Sequence, residues 1–136
     1  MTRRALVIDD YATGRRGLAR RLRDSGYLVT EAATLKEALA RIAIDRPSLI
    51  VTDLNLIDSR GVDTARAVMG EAGAAAVIVV TAATDDPILM AELERMNVPV
   101  FRPGDEPIGM PASTSLTEAQ RREVEAIVQR ESEAVM

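Results

Sequence analysis

Short apolar runs alternate with amphipathic segments from residue 5 to residue 101, and this alternation limits the available folds more than any single motif does. "ALVIDD" (5–10), "YLVTE" (27–31), "SLIVTD" (48–53), "AAVIVVTA" (75–82) and "VPVF" (98–101) are short, contiguous and rich in branched side chains. That is the pattern of strands buried on both faces. Between them run helical patterns. In "TGRRGLARRLRDSG" (13–26) Leu18 and Leu22 sit four apart, arginines cover the other faces, and Gly26 can close the helix. Thr34 and Glu37 make a capping box that opens "LKEALARIAID" (35–45), where Leu35, Ala38, Leu39 and Ile42 form one apolar stripe and Pro47 supplies the stop. "GVDTARAVMGEAG" (61–73) is a weaker helix, and "DDPILMAELERM" (85–96) has Pro87 in its first turn, where proline suits a helix. Beyond a Pro- and Gly-bearing loop at 104–115, a helix is expected over 116–135, with Val124, Ile127, Val128 and Val135 on its buried face.

Five strand-helix units in strict order predict a doubly wound α/β domain, because parallel strands need crossover connections and these place helices on both faces. The 136 residues are one domain's worth, with a core over 4–103. In such sheets ligands gather at the carboxyl ends of the strands, near the switch point in strand order. The residues just past the strands are Asp9 and Asp10 after the first, Asp53 after the third, Thr81 after the fourth and Arg102 after the fifth. Three carboxylates, a hydroxyl and a guanidinium thus share one rim, without a Gly-rich phosphate cradle.

Composition removes much other chemistry. Cysteine and histidine are both absent, which excludes disulfides, thiolate nucleophiles, Ser/His and Cys/His triads, the usual zinc sites and a phosphohistidine carrier. A net charge of −4 argues against nucleic acid as the main partner. The longest apolar run, "AAAVIVV" at 74–80, is far shorter than a membrane span, and no signal-peptide stretch is evident at the N-terminus, so no membrane association and a cytoplasmic location are expected.

In these residues the chain resembles the receiver domain of two-component response regulators. "VIDD" looks like that family's acidic pair, "LIVTDLNLIDSRG" like the segment around its phosphoacceptor aspartate, and "VIVVTA" like the strand ending in its switch hydroxyl. The resemblance implies a (βα)5 flavodoxin-like fold with a five-stranded parallel sheet. It implies that Asp53 accepts a phosphoryl group from a sensor histidine kinase or histidine phosphotransferase, and that Asp9, Asp10, Asp53 and the backbone carbonyl of Asn55 hold Mg²⁺, a hard cation that prefers oxygen ligands. Thr81 and Arg102 would contact the phosphoryl group, and Gly61 matches the family glycine of the following loop. The chain would then be a regulatory phosphoacceptor, catalysing at most its own phosphorylation and dephosphorylation, that acts on a downstream protein target, with a homodimer as one form it can take.

Several positions depart from the family pattern. Arg102 stands where the family has lysine, Pro99 occupies the place of the usual aromatic, and Ile57 replaces a proline. Arginine is a planar fork rather than a point charge, although it binds phosphate well. The chain has one lysine, Lys36, against sixteen arginines, so a general arginine bias also accounts for Arg102. These departures keep a second reading open, a pseudo-receiver that serves as a phosphorylation-independent interaction module. An independent phosphatase is disfavoured because "DLN" lacks a second aspartate for general acid catalysis. Each site residue also has a plainer role available: a helix N-terminal charge pair for Asp9 and Asp10, a loop cap for Asp53, a turn residue for Asn55, a strand-end hydroxyl for Thr81 and a solvated side chain for Arg102. The seven arginines among the first 23 residues read better as a solvated face than as a docking surface.

Overall fold

The structure is a computed structural model, and it describes residues 3–82, 85–102, 107–109, 122 and 124–126. The chain runs β1 (Arg3–Ile8), α1 (Ala12–Asp24), β2 (Tyr27–Ala32), α2 (Leu35–Asp45), β3 (Leu49–Thr52), α3 (Val62–Glu71), β4 (Ala76–Val80), α4 (Pro87–Arg95), β5 (Val100–Phe101) and β6 (Pro107–Gly109). The sheet order is β2-β1-β3-β4-β5-β6, and β1 to β5 are parallel, as the alternation predicts.

Period-two packing explains why the strands read as unbroken apolar runs. Ala5 and Val7 of β1, Leu49 and Val51 of β3, and Ala76 and Ile78 of β4 point to one face, where Leu18, Ala19 and Leu22 of α1 cover them. Leu6, Ile8, Ile50 and Val77 point to the other, under Ala38 and Ile42 of α2 and Val68 of α3. Val79 and Val100 pack with Ala65 of α3 and Leu93 of α4. Neither face of the central strands meets water, so alternation with polar residues is absent.

Local chemistry sets the helix ends. Thr34 accepts a hydrogen bond from the Glu37 N–H at 3.1 Å, and the Glu37 carboxylate accepts from the Ala33 N–H at 3.2 Å, one residue earlier than in the usual box. Asp58, from the β3–α3 loop, also accepts from the N–H groups of Leu35 (2.8 Å) and Lys36 (3.1 Å), so α2 is capped twice. Asp86 caps α4 ahead of Pro87. Gly26 follows α1 at φ +100, a backbone angle that glycine takes without strain.

The sheet carries one strand more than the five expected. In the predicted loop 104–115, Pro107–Gly109 pair antiparallel with β5, through an irregular register. A three-residue strand begun by proline and ended by glycine has no periodicity to read, yet it covers a β5 edge that would otherwise present unpaired backbone groups. Of the helix expected over 116–135, Arg122 and Val124–Ala126 are described and helical, and Val124 is buried against the α1 face. Ile127, Val128, Val135 and the rest of that helix, with Pro103, the remainder of the 104–115 loop and Ala83, lie outside the described residues. Among the described residues no helix is long and apolar enough to cross a membrane.

Candidate functional site

The order β2-β1-β3 sends the chain outward from β1 in opposite directions, so the switch point lies between β1 and β3. Ile8 pairs with Thr52 across these two strands, and the next residues along them are Asp9 and Asp53. The Asp53 N–H donates to the Ile8 carbonyl at 2.9 Å, and the Asp9 N–H donates to the Ala32 carbonyl at 3.0 Å. Both aspartates therefore leave the sheet on fixed backbone. One carboxylate oxygen from each of Asp9, Asp10 and Asp53 falls in a group whose members all lie within 4.8 Å of one another.

Beside this group is a pocket of about 200 Å³, lined among others by Asp9, Tyr11, Gly14, Asp53, Val80 and Ala82. Burial raises the pKa of Asp53 to about 6; the charges of Asp9 and Asp10 push it the same way, while N–H groups of Leu54 and Asn55 oppose the rise. Asp9 is also raised, first by burial and then by Asp10, against the Tyr11 N–H, which donates at 3.0 Å, and the Arg15 charge. Three carboxylates this close are costly without a cation.

The donor set is all oxygen, which suits a hard divalent cation. Two oxygens on one Mg²⁺ stand about 3 Å apart when adjacent and about 4 Å when opposite. The three oxygens, all within 4.8 Å of one another, lie on the scale of that geometry.

The loop beyond Asp53 is tightly tied. Thr52 donates to the Asp53 carbonyl (2.7 Å), Thr64 donates to the Leu54 carbonyl (2.7 Å), and Ser59 and Thr64 share a hydroxyl contact (2.7 Å). Gly61 then enters α3 at φ +63, a conformation that strains any residue with a Cβ. Ile57 projects from the turn at 79% exposure.

Thr81 and Arg102 take the next places on the rim. Val80 pairs with Phe101, so Thr81 and Arg102 follow side by side, and the Thr81 N–H donates to the Phe101 carbonyl at 2.9 Å. Thr81 is buried and Arg102 is exposed; neither is among the described residues lining the pocket. Asn55 is exposed and meets the site through its backbone N–H, which bonds to Asp53.

Arg15 is a neighbour that pattern reading misses. The sequence pattern places it on a solvated arginine face, and Arg16, Arg20 and Arg23 are exposed. Arg15 instead turns inward, donating from Nη1 to the Asp9 carbonyl at 2.9 Å and from Nε to Glu31 at 3.2 Å. Its partner becomes visible only when the β1–β2 register places Glu31 beside Val7.

A family model for the response regulator receiver domain matches residues 5–98. Among characterised relatives, the KDP operon transcriptional regulatory protein KdpE of Escherichia coli is 34% identical over 89 residues, which are 65% of this chain and 39% of that protein. Response regulator MprA of Mycobacterium tuberculosis is 37% identical over 82 residues, 60% of this chain and 36% of that protein. The chain thus matches well under half the length of either relative. A crystal structure of a Burkholderia pseudomallei response regulator, holding a phosphorylated aspartic acid, a calcium ion and citrate, superposes with a TM-score of 0.68 at 21% identity, covering 98% of this chain and 70% of that one. At that identity the likeness speaks to the fold.

Proposed function

The chain belongs to the response regulator receiver domain family, and from that premise we propose that it is a Mg²⁺-dependent phosphoacceptor of a two-component phosphorelay, phosphorylated on Asp53 to switch a protein-interaction surface. The observation that carries this reading is the meeting of Asp9, Asp10 and Asp53 at the switch point of the sheet.

In this reading an Asp53 oxygen forms a bond to phosphorus as the phosphorus–nitrogen bond of a partner's phosphohistidine breaks, and the imidazole leaves. Asp9, Asp10, Asp53 and the Asn55 carbonyl would hold Mg²⁺, which would supply charge neutralisation for the phosphoryl oxygens. Backbone bonds at Asp9 and Asp53 fix the nucleophile and its neighbours before the donor arrives. Thr81 donates its hydroxyl to a phosphoryl oxygen, and Arg102 swings its guanidinium to another. The added charge and these new bonds redistribute the rim between two arrangements. The whole of 1–136 acts as one receiver unit in the cytoplasm, between a histidine kinase or phosphotransferase and a downstream protein.

Arg102 is exposed and is not among the described residues lining the pocket, which favours the pseudo-receiver. One experiment separates the two: incubation with acetyl phosphate and Mg²⁺, read by intact mass, beside an Asp53→Asn control and a metal-free control. An adduct that needs both Asp53 and the cation is expected. Absence of an adduct together with absence of Mg²⁺ binding in a titration would move the assignment to the pseudo-receiver.

A further inference from the structure

Arg15 stands at the edge of a three-carboxylate cluster, yet its guanidinium donates to a neutral carbonyl, that of Asp9, at 2.9 Å. An arginine next to carboxylates ordinarily forms charge-assisted, often bidentate, bonds with them. Here such bonds would occupy the oxygens that a cation needs. The competing partner is Glu31 on β2, whose Oε1 takes the Arg15 Nε at 3.2 Å and whose Oε2 lies 3.5 Å from Arg23 Nη2. Arg15 and Glu31 are both largely buried, with side-chain exposures of 15% and 25%, so the pair is screened less than a surface ion pair.

We infer that Glu31 is a positioning residue for the cation site, which acts by holding the Arg15 guanidinium on the Asp9 carbonyl and off the carboxylates of Asp9, Asp10 and Asp53. This rests on the reading of those carboxylates as a Mg²⁺ site. The loop does not depend on Arg15 for its shape, because Asp9 is also anchored through its N–H to Ala32 and through its carboxylate to the Tyr11 N–H. The arginine's effect on a cation is therefore electrostatic competition once Glu31 lets it go.

The test is isothermal titration of the full chain with MgCl₂, for wild type, Glu31→Gln, Arg15→Gln and the double variant, each first checked for a native circular dichroism spectrum. Glu31→Gln should weaken Mg²⁺ binding about tenfold, the low end of what outer-shell partners of metal ligands are worth. The double variant should recover affinity to near wild type, which a merely structural role for Glu31 would not allow. Wild-type affinity in Glu31→Gln, or a loss that the double variant fails to restore, overturns the inference. If Glu31→Gln does not fold, Arg15→Gln decides alone: equal or tighter binding supports the inference, and a tenfold loss overturns it. Absence of Mg²⁺ binding by the wild type is the separate signature of failure of the functional reading, and the inference falls with it.

Discussion

Asp53 is half-buried and faces two other carboxylates, and both facts favour its protonated form. Its pKa is about 6, against 3.8 for an ordinary aspartate, so the folded state binds this proton more tightly than the unfolded chain. Deprotonation therefore costs stability as pH rises from about 4 to about 6, and the full cost persists above that window. The gap is worth about 3 kcal/mol, and solvent at a half-buried group reduces this to about 1 to 2 kcal/mol. Asp53→Asn should be more stable than wild type by that amount at pH 7 in the absence of divalent cations, with the advantage gone by pH 4; urea unfolding at the two pH values checks it. Equal stability at both would remove the electrostatic burden assigned to the site. Arg102 calls for a kinetic test. If it reaches a phosphoryl oxygen, Arg102→Lys should phosphorylate from acetyl phosphate at least as fast as wild type, while Arg102→Ala should lose about tenfold, the worth of one hydrogen bond to a charged group. An unchanged rate in the alanine variant would show that the guanidinium does not reach the phosphoryl group.

At the scale of elements, α2 shows which features a sequence displays and which it hides. Its bounds, Leu35–Asp45, agree with the expected segment, because an apolar stripe, a Thr34 cap and a Pro47 stop are all local signals. The second cap is not local: Asp58 lies 23 residues beyond Leu35 and reaches it only because the β3–α3 loop folds back over the helix. The same distinction separates β6 and Arg15, both set by pairing across the sheet, from Leu18 and Leu22, whose burial follows from helical spacing. Thr34→Ala should cost about 1 kcal/mol, the usual worth of an N-cap. Asp58→Ala should lower the melting temperature as well, and the two losses should be less than additive, since both caps serve the first turn of one helix. The Asp58 carboxyl is held below its ordinary range by the Leu35 and Lys36 N–H groups, so its contribution is present at neutral pH and fades in acid. Thermal melts of the single and double variants would show this; full additivity would mean the caps act independently.

The whole molecule places its costs and its rigidity at opposite ends of the same strands. Apolar packing on both faces of β1, β3 and β4 is continuous, and two of those strands, β1 and β3, end in carboxylates that repel one another. A bound cation should relieve that repulsion and stabilise the entire fold, because the ligands come from two strands whose pairing joins the halves of the sheet. With Mg²⁺ at a hundredfold over its dissociation constant, the gain at pH 7 is about 2.7 kcal/mol, read as a rise in melting temperature. Asp10→Asn should melt at or above the wild type without Mg²⁺ and lose the rise with it. The pH dependence then differs with and without the cation: stability without Mg²⁺ rises toward acid, while with Mg²⁺ the loss of binding offsets that rise and stability stays nearly level. Lowering pH through about 6 protonates Asp53, which relieves the carboxylate repulsion in cation-free solution and raises stability, whereas with Mg²⁺ present the proton displaces a ligand charge and the gain shrinks. Melting curves from pH 7.5 to 5 should therefore converge as the medium becomes acidic. The contrast must vanish in Asp53→Asn, where no proton competes, so curves that converge equally in that variant would show the effect belongs to other carboxylates.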